Sequence, residues 1–174
     1  TKATGLAAGT QSFLTPVAGV PTSLDPLDVI GSSLPLPETD LPGTAVLWST
    51  GALANKLDVV GSPSLRIQVS SPTAALTQGL GSTGQLVLFA KLLDVDAAGK
   101  ATVINDLVAP VRVPNVTKPF TVTLPGIVHR FAPGHQLRLV VAGGSTNYRG
   151  GLTPNPVSIT TGSTGQMLTL PIVK

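Results

Sequence analysis

No long window of this sequence shows helical periodicity without a glycine or a proline inside it. That single feature argues against any architecture resting on helices, because proline breaks a helix interior and glycine weakens it. From Ala45 onward the chain reads instead as short β-branched runs separated by turn residues. The candidate strands are Ala45–Ser49, Leu57–Val60, Ser64–Val69, Gln85–Asp94 and Ala101–Ile104, then Leu107–Val113, Phe120–Leu124, Ile127–Phe131, Gln136–Ala142 and Met167–Val173. Eight to ten short strands with regular turns predict an all-β, antiparallel sandwich.

The pattern inside these runs is specific. Leu65, Ile67 and Val69 alternate with Arg66 and Gln68, so a one-residue slip would bury the arginine and register is well defined. Leu137 and Leu139 repeat the device around Arg138. Gln85–Leu93 is mostly apolar and reads as a strand covered on both faces. Pro110 demotes its run to an edge or a bulge. The segment Asp94–Lys100 predicts a hairpin turning at Gly99, and Ala132-Pro133-Gly134-His135 predicts a type II turn.

Glycine and proline are dense, 19 and 16 of 174 residues, but with 42% hydrophobic and only 11% charged residues the chain is not of the disordered class. Its length suits one domain. Aromatics are 3%, so the core must be aliphatic. Residues 1–43 stand apart. Pro16, Pro21, Pro26, Pro35, Pro37 and Pro42 punctuate them, which predicts an extended connector. Leu24, Leu27, Val29, Ile30, Leu34 and Leu36 imply that the connector is docked on the domain or on a neighbour. The sandwich proper is expected over 44–174. The chain starts at Thr1 without Met, and we expect a mature, processed or excised piece of something longer. No apolar run approaches the length of a membrane helix.

Net charge is +3, and the last carboxylate side chain is Asp106. The half that follows is therefore mildly positive. Arg66, Arg112, Arg130, Arg138 and Arg149 are scattered rather than clustered with aromatics, so no nucleic-acid partner is expected. There is no cysteine, hence no thiolate chemistry.

The usual catalytic constellations fail. No Gly-x-Ser-x-Gly elbow is present. Gly79-Leu80-Gly81-Ser82-Thr83-Gly84 fits Gly-x-Gly-x-x-Gly, but a β-rich run follows where a dinucleotide site needs a helix. Gly143-Gly144-Ser145 lacks the lysine of a phosphate loop. His129, in a strand, and His135, in a turn, have no carboxylate near them in sequence, and structural hydrogen bonding is their expected role. Asp94 and Asp96 echo a calcium loop, although its twelfth position would be Asn105. They are the candidate metal ligands, set against a plain hairpin. A carbohydrate site would want an exposed aromatic platform. Trp48 sits mid-strand, where core packing is expected. Asn147, Tyr148 and Arg149, in a glycine-rich loop, are the better ligand-binding candidates. No cofactor is expected.

Three phrases carry a family resemblance. Leu57-Asp58-Val59-Val60-Gly61-Ser62-Pro63 followed by Leu65-Arg66-Ile67-Gln68-Val69-Ser70-Ser71 is the first, and Phe89–Lys100 the second. Val128-His129-Arg130-Phe131-Ala132-Pro133-Gly134-His135-Gln136-Leu137-Arg138-Leu139 is the most specific. Together they resemble the C-terminal non-catalytic domain of X-Pro dipeptidyl-peptidases and the related cocaine-esterase-like serine hydrolases. The resemblance implies a jelly-roll, galactose-binding-domain-like sandwich attached to an α/β-hydrolase domain that holds the catalytic serine, aspartate and histidine. None of those three maps onto this sequence, so no catalytic residue is carried over and the chain by itself is expected to be non-catalytic. The implied role is to scaffold the hydrolase, to help shape its substrate entrance and to contribute to oligomer contacts. The family often has an acidic pair before the central strand, where this chain has Gly81-Ser82-Thr83-Gly84, and an arginine-rich strand end that is here reduced to Arg112.

Two other readings stay open: a carbohydrate-binding module presenting Tyr148, and a structural surface module with residues 1–43 as its stalk. The cysteine-free, Ala-, Thr-, Gly- and Pro-rich composition fits an exported bacterial protein, while cytoplasmic members of the family are expected too.

Overall fold

The computed structural model describes residues 2–17, 20–24, 39–162 and 166–173. Its strands begin with β1 (Lys2–Gly5), β2 (Gly9–Leu14), β3 (Ser23–Leu24) and β4 (Thr39–Asp40). Then come β5 (Ala45–Ser49), β6 (Leu57–Gly61) and β7 (Ser64–Ile67), and a short helix α1 (Pro72–Thr77) that runs into a 3-10 turn (Gln78–Leu80). After the turn follow β8 (Val87–Val95), β9 (Ala101–Arg112), β10 (Phe120–Thr123), β11 (Ile127–Phe131) and β12 (Gln136–Ala142). The chain closes with β13 (Pro156–Thr161), β14 (Met167–Leu170) and β15 (Ile172–Val173).

All pairings among the described residues are antiparallel. One four-stranded sheet has the order β5-β12-β8-β9. A second has the order β1-β14-β7-β10, beside a three-stranded sheet β11-β6-β15. The main core lies between them. Val46, Trp48, Leu88, Leu92, Leu137 and Leu139 enter it from the first sheet, and Val59, Leu65, Ile67, Phe131, Leu168 and Leu170 from the others. Period-2 alternation sets this up, with Leu65 and Ile67 buried and Arg66 exposed.

Strand β8 is buried on both faces, as its apolar run predicts. Its second face builds a smaller cluster of Val87, Phe89 and Leu93 with Val103, Val108, Val140 and Ala142. Arg138 shares a strand face with the buried Val140, so β12 is also covered on both sides along part of its length.

Two expected strands, Ala101–Ile104 and Leu107–Val113, are one strand, β9. It is interrupted by a bulge opposite Lys91–Leu93, where Asn105 and Asp106 take positive φ angles of 54° and 56°. Asn and Asp tolerate that left-handed conformation better than other side chains, so the sequence places the bulge. Strand β9 is also a sheet edge, which accommodates Pro110. Met167–Val173 divides at Pro171 into β14 and β15, which belong to different sheets. The turn glycines Gly99 and Gly134 have φ angles of 87° and 84°, and His135 N–H closes its turn on the Ala132 carbonyl at 3.1 Å.

Residues 2–14 form two strands. β1 is the outer strand against β14, and β2 pairs with β13 and places Phe13 in the main core. Pro26, Pro35, Pro37, Leu27, Val29, Ile30, Leu34 and Leu36 lie outside the described residues.

Candidate functional site

The fold supplies the carboxylate that His129 and His135 lack in sequence. Asp94, near the end of β8, stands 2.9 Å from His129 Nε2 through Oδ2 and 2.8 Å from His135 Nδ1 through Oδ1. Register brings them together: β12 pairs with β8 at Leu137 and Asp94, and the type II turn sets His135 just before β12. A carboxylate only accepts, so each histidine presents an N–H to Asp94, and the neutral tautomers are thereby fixed. The His129 ring also meets Phe131 edge-on at 4.7 Å. The three groups line an open cleft of about 430 Å³ with Asp96, Lys100, Thr102 and Asn105. Among the described residues no serine lines it. The arrangement ties β8, β11 and the β11–β12 turn together.

Asp96 does not share those partners. Its Oδ1 accepts the backbone N–H groups of Ala98 and Lys100, both at 2.9 Å, and so holds the hairpin turn. The two carboxylates of the candidate calcium loop thus face different donors. Among the described residues there is no group of three or more His, Cys, Asp or Glu side chains that could hold a metal ion.

Trp48 lies in the main core at 7% exposure, so its ring is not available as a ligand platform. Tyr148 is 45% exposed and stacks on Phe89 with ring centroids 6.0 Å apart. Its neighbours in the β12–β13 connection are divided between two environments. Gly143 and Gly144 are approached by the N-terminal segment: a Cβ on Gly143 would stand 2.7 Å from Thr15 Cα, and one on Gly144 2.5 Å from Thr22 Oγ1. Close packing is therefore what these two glycines serve. Asn147 donates its backbone N–H to Ser145 Oγ at 3.2 Å. Arg149, Gly150, Gly151 and Leu152 instead line a second cleft, of about 400 Å³, together with Ser82, Thr83, Val87 and Arg112.

One group was not singled out by the sequence reading. Lys91, in β8, is 1% exposed and faces the smaller core cluster's side of the sheet. Its Nζ lies 2.9 Å from Asp40 Oδ1 and donates to Ser23 Oγ at 2.7 Å. Ser23 donates in turn to Asp40. Strands β3 and β4 hold Ser23 and Asp40 opposite each other, so this pair of short strands is fastened to the sheet by a buried charge. A lone lysine in an apolar run was the available signal, since a fully buried lysine needs a partner.

The outer face of the β11-β6-β15 sheet carries an uncovered valine patch beside the charged pair of Asp58 and Arg130. Val60 and Val128 are cross-strand partners, exposed at 46% and 76%, and Val173 of β15 is 51% exposed. They line a shallow cleft with Asp58, His129 and Arg130. Arg130 grips Asp58 through Nε and through Nη2, the latter at 3.1 Å. The guanidinium holds the Asp58 carboxyl below its usual 3.8, and Asp58 raises Arg130 in return.

Geometry and topology define an antiparallel β-sandwich whose histidine cleft joins a carboxylate to two imidazoles. More particularly, the chain belongs to the X-Pro dipeptidyl-peptidase C-terminal non-catalytic domain family, which it matches over residues 6–170. Similar solved structures include an α-amino acid ester hydrolase, with 16% identity and a TM-score of 0.65, over 95% of this chain and 33% of that one. An aminopeptidase from a marine sediment Thaumarchaeota archaeon has 13% identity and a TM-score of 0.63, over 98% and 34%. A CocE/NonD family hydrolase from Staphylococcus aureus has 14% identity and a TM-score of 0.60, also over 98% and 34%. At these identities the likeness shows the fold alone, and the chain spans about a third of each of those chains. Among curated proteins there is no sequence match.

Proposed function

We propose that this chain is the accessory domain of an α/β-hydrolase acting on Xaa-Pro peptides or on small esters and amides. Its part is to scaffold the catalytic domain and to help shape the substrate entrance. The observation that carries this reading is the uncovered valine face of β6, β11 and β15. Adjacent exposed valines on one sheet face are the kind of surface that inter-domain contacts bury. The solved relatives extend for about two further chain lengths, room enough for a catalytic domain as occupant.

The isolated 174-residue chain and the chain joined to the hydrolase portion of its parent are assayed on a chromogenic Xaa-Pro amide and an aryl ester. We expect no turnover by the isolated chain, turnover by the joined protein, and loss of that turnover in Val60→Lys/Val128→Lys. Turnover by the isolated chain, or a joined protein indifferent to both lysines, overturns the proposal. A dimer of the isolated chain that the lysines dissolve would instead assign the face to a second copy.

A further inference from the structure

The two glycine-rich stretches that stand out in the sequence, 79–84 and 143–151, are far apart in the chain, yet the second cleft draws its walls from both. Ser82 and Thr83 come from the α1–β8 connection, and Arg149, Gly150, Gly151 and Leu152 from the β12–β13 connection. Between them lie Val87 and its cross-strand partner Arg112. Among the described residues no carboxylate lines the cleft, while two guanidinium groups do.

From this arrangement we infer that the cleft is a binding site for a small organic anion, a carboxylate carrying an apolar group. Arg112 is already placed, since its Nη1 donates to the Ser82 carbonyl. Its loop is pinned as well, with Thr77 Oγ1 donating to the Gly84 carbonyl at 2.7 Å. Tyr148, the chain neighbour of Arg149, is held by stacking on Phe89. Arg149 itself is exposed and makes no hydrogen bond or ion pair among the described residues. Two planar guanidinium groups lining one cleft are suited to bidentate recognition of an oxyanion. Gly150 and Gly151 have no side chains to obstruct an approach to the backbone there. A cleft of about 400 Å³ is within the range of small-molecule sites and larger than a bare oxyanion needs. Val87 and Leu152 offer the remaining space to an alkyl or aryl group. This inference is independent of which domain covers the valine face.

The test is an NMR titration of the ¹⁵N-labelled 174-residue chain with hexanoate, with hexanamide as the neutral isostere and with inorganic phosphate. Hexanoate is expected to shift the amides of 82–83 and 149–152 saturably, with a Kd on the order of 1 mM, as suits a fragment of this size. Hexanamide and phosphate are each expected to bind about tenfold more weakly, the loss expected for one charge-assisted contact or for the apolar one. Arg149→Gln, at a residue with no structural partner, is expected to weaken hexanoate by a similar factor and leave the rest of the spectrum in place. Arg112→Gln should do the same, and the Arg149 variant decides the matter if the Ser82 loop shifts. Absence of saturable shifts, equal binding of hexanamide, or an Arg149→Gln protein that binds hexanoate unchanged overturns the inference. Phosphate binding more tightly than hexanoate overturns the assignment to an apolar carboxylate.

Discussion

Replacing Asp94 tests the histidine brace, and two replacements must behave differently. In Asp94→Ala both imidazole N–H groups lose their acceptor. The side chains are partly solvated, with exposures of 24% and 27% for the histidines and 15% for Asp94, so water restores some of the loss. Two bonds at about 1 to 1.5 kcal/mol each give an expected destabilisation of about 2 to 3 kcal/mol. Asp94→Asn keeps the shape and one oxygen. That oxygen accepts from one histidine, and the new amide N–H₂ donates to the other once that ring changes tautomer. The change of tautomer is cheap for a neutral imidazole, so the expected cost is about 1 kcal/mol or less. Urea denaturation of the three proteins reads the stabilities, and two-dimensional ¹⁵N correlation of the imidazoles reads the tautomers. The reasoning fails if Asn costs as much as Ala, if Ala costs less than about 0.5 kcal/mol, or if both rings of the Asn protein keep the wild-type tautomer.

Three further outcomes follow from the geometry. Lys91→Met fills a similar volume but takes the ammonium away from Asp40 and from the buried Ser23 hydroxyl, so thermal melting should show a loss of about 1 to 3 kcal/mol, because truncating one member of a largely buried pair leaves the other uncompensated. Gly84→Ala places a Cβ 2.0 Å from the Thr77 carbonyl oxygen and should cost about 1 to 3 kcal/mol in urea denaturation, whereas Gly79→Ala, with nothing within 4 Å, should show no such penalty. The Asp58 carboxyl is lowered by Arg130, so the pair's contribution is present above the unfolded value near 3.8 and is lost as pH falls through the lower folded value; Asp58→Asn should remove that acid-side dependence with little effect at neutral pH, as carboxyl NMR titration and acid melts would show, because the pair is exposed.

What could be read from the sequence was whatever repeats at period two. Leu65, Ile67 and Val69 declare their face without reference to any partner, and Ala45–Ser49, Ile127–Phe131 and Gln136–Ala142 have the boundaries their composition implies. Short elements with weak patterns escaped. Helix α1 is six residues, carried by an Ser71 side chain that accepts from Ala74 N–H and by Pro72 in its first turn, too short for periodicity to register. Strands β2 and β13 are polar on their outer faces, with Ser12 and Ser158 hydrogen-bonded across the pair at 2.8 Å, and each is recognisable only beside the other. The same reason explains the candidate sites. Asp94 meets His129 and His135 across 35 and 41 residues, Lys91 reaches Ser23 across 68, and the arginines of the second cleft stand on separate connections. Each member taken alone has a bland reading: a turn aspartate, a strand histidine, a surface arginine. A sandwich makes such juxtapositions at its sheet ends, where connections from distant strands converge while the alternating core beneath them stays fixed. The second cleft, with two arginines and no acid among the described residues that line it, is one such juxtaposition, and Arg149 is the residue on which its ligand is best tested.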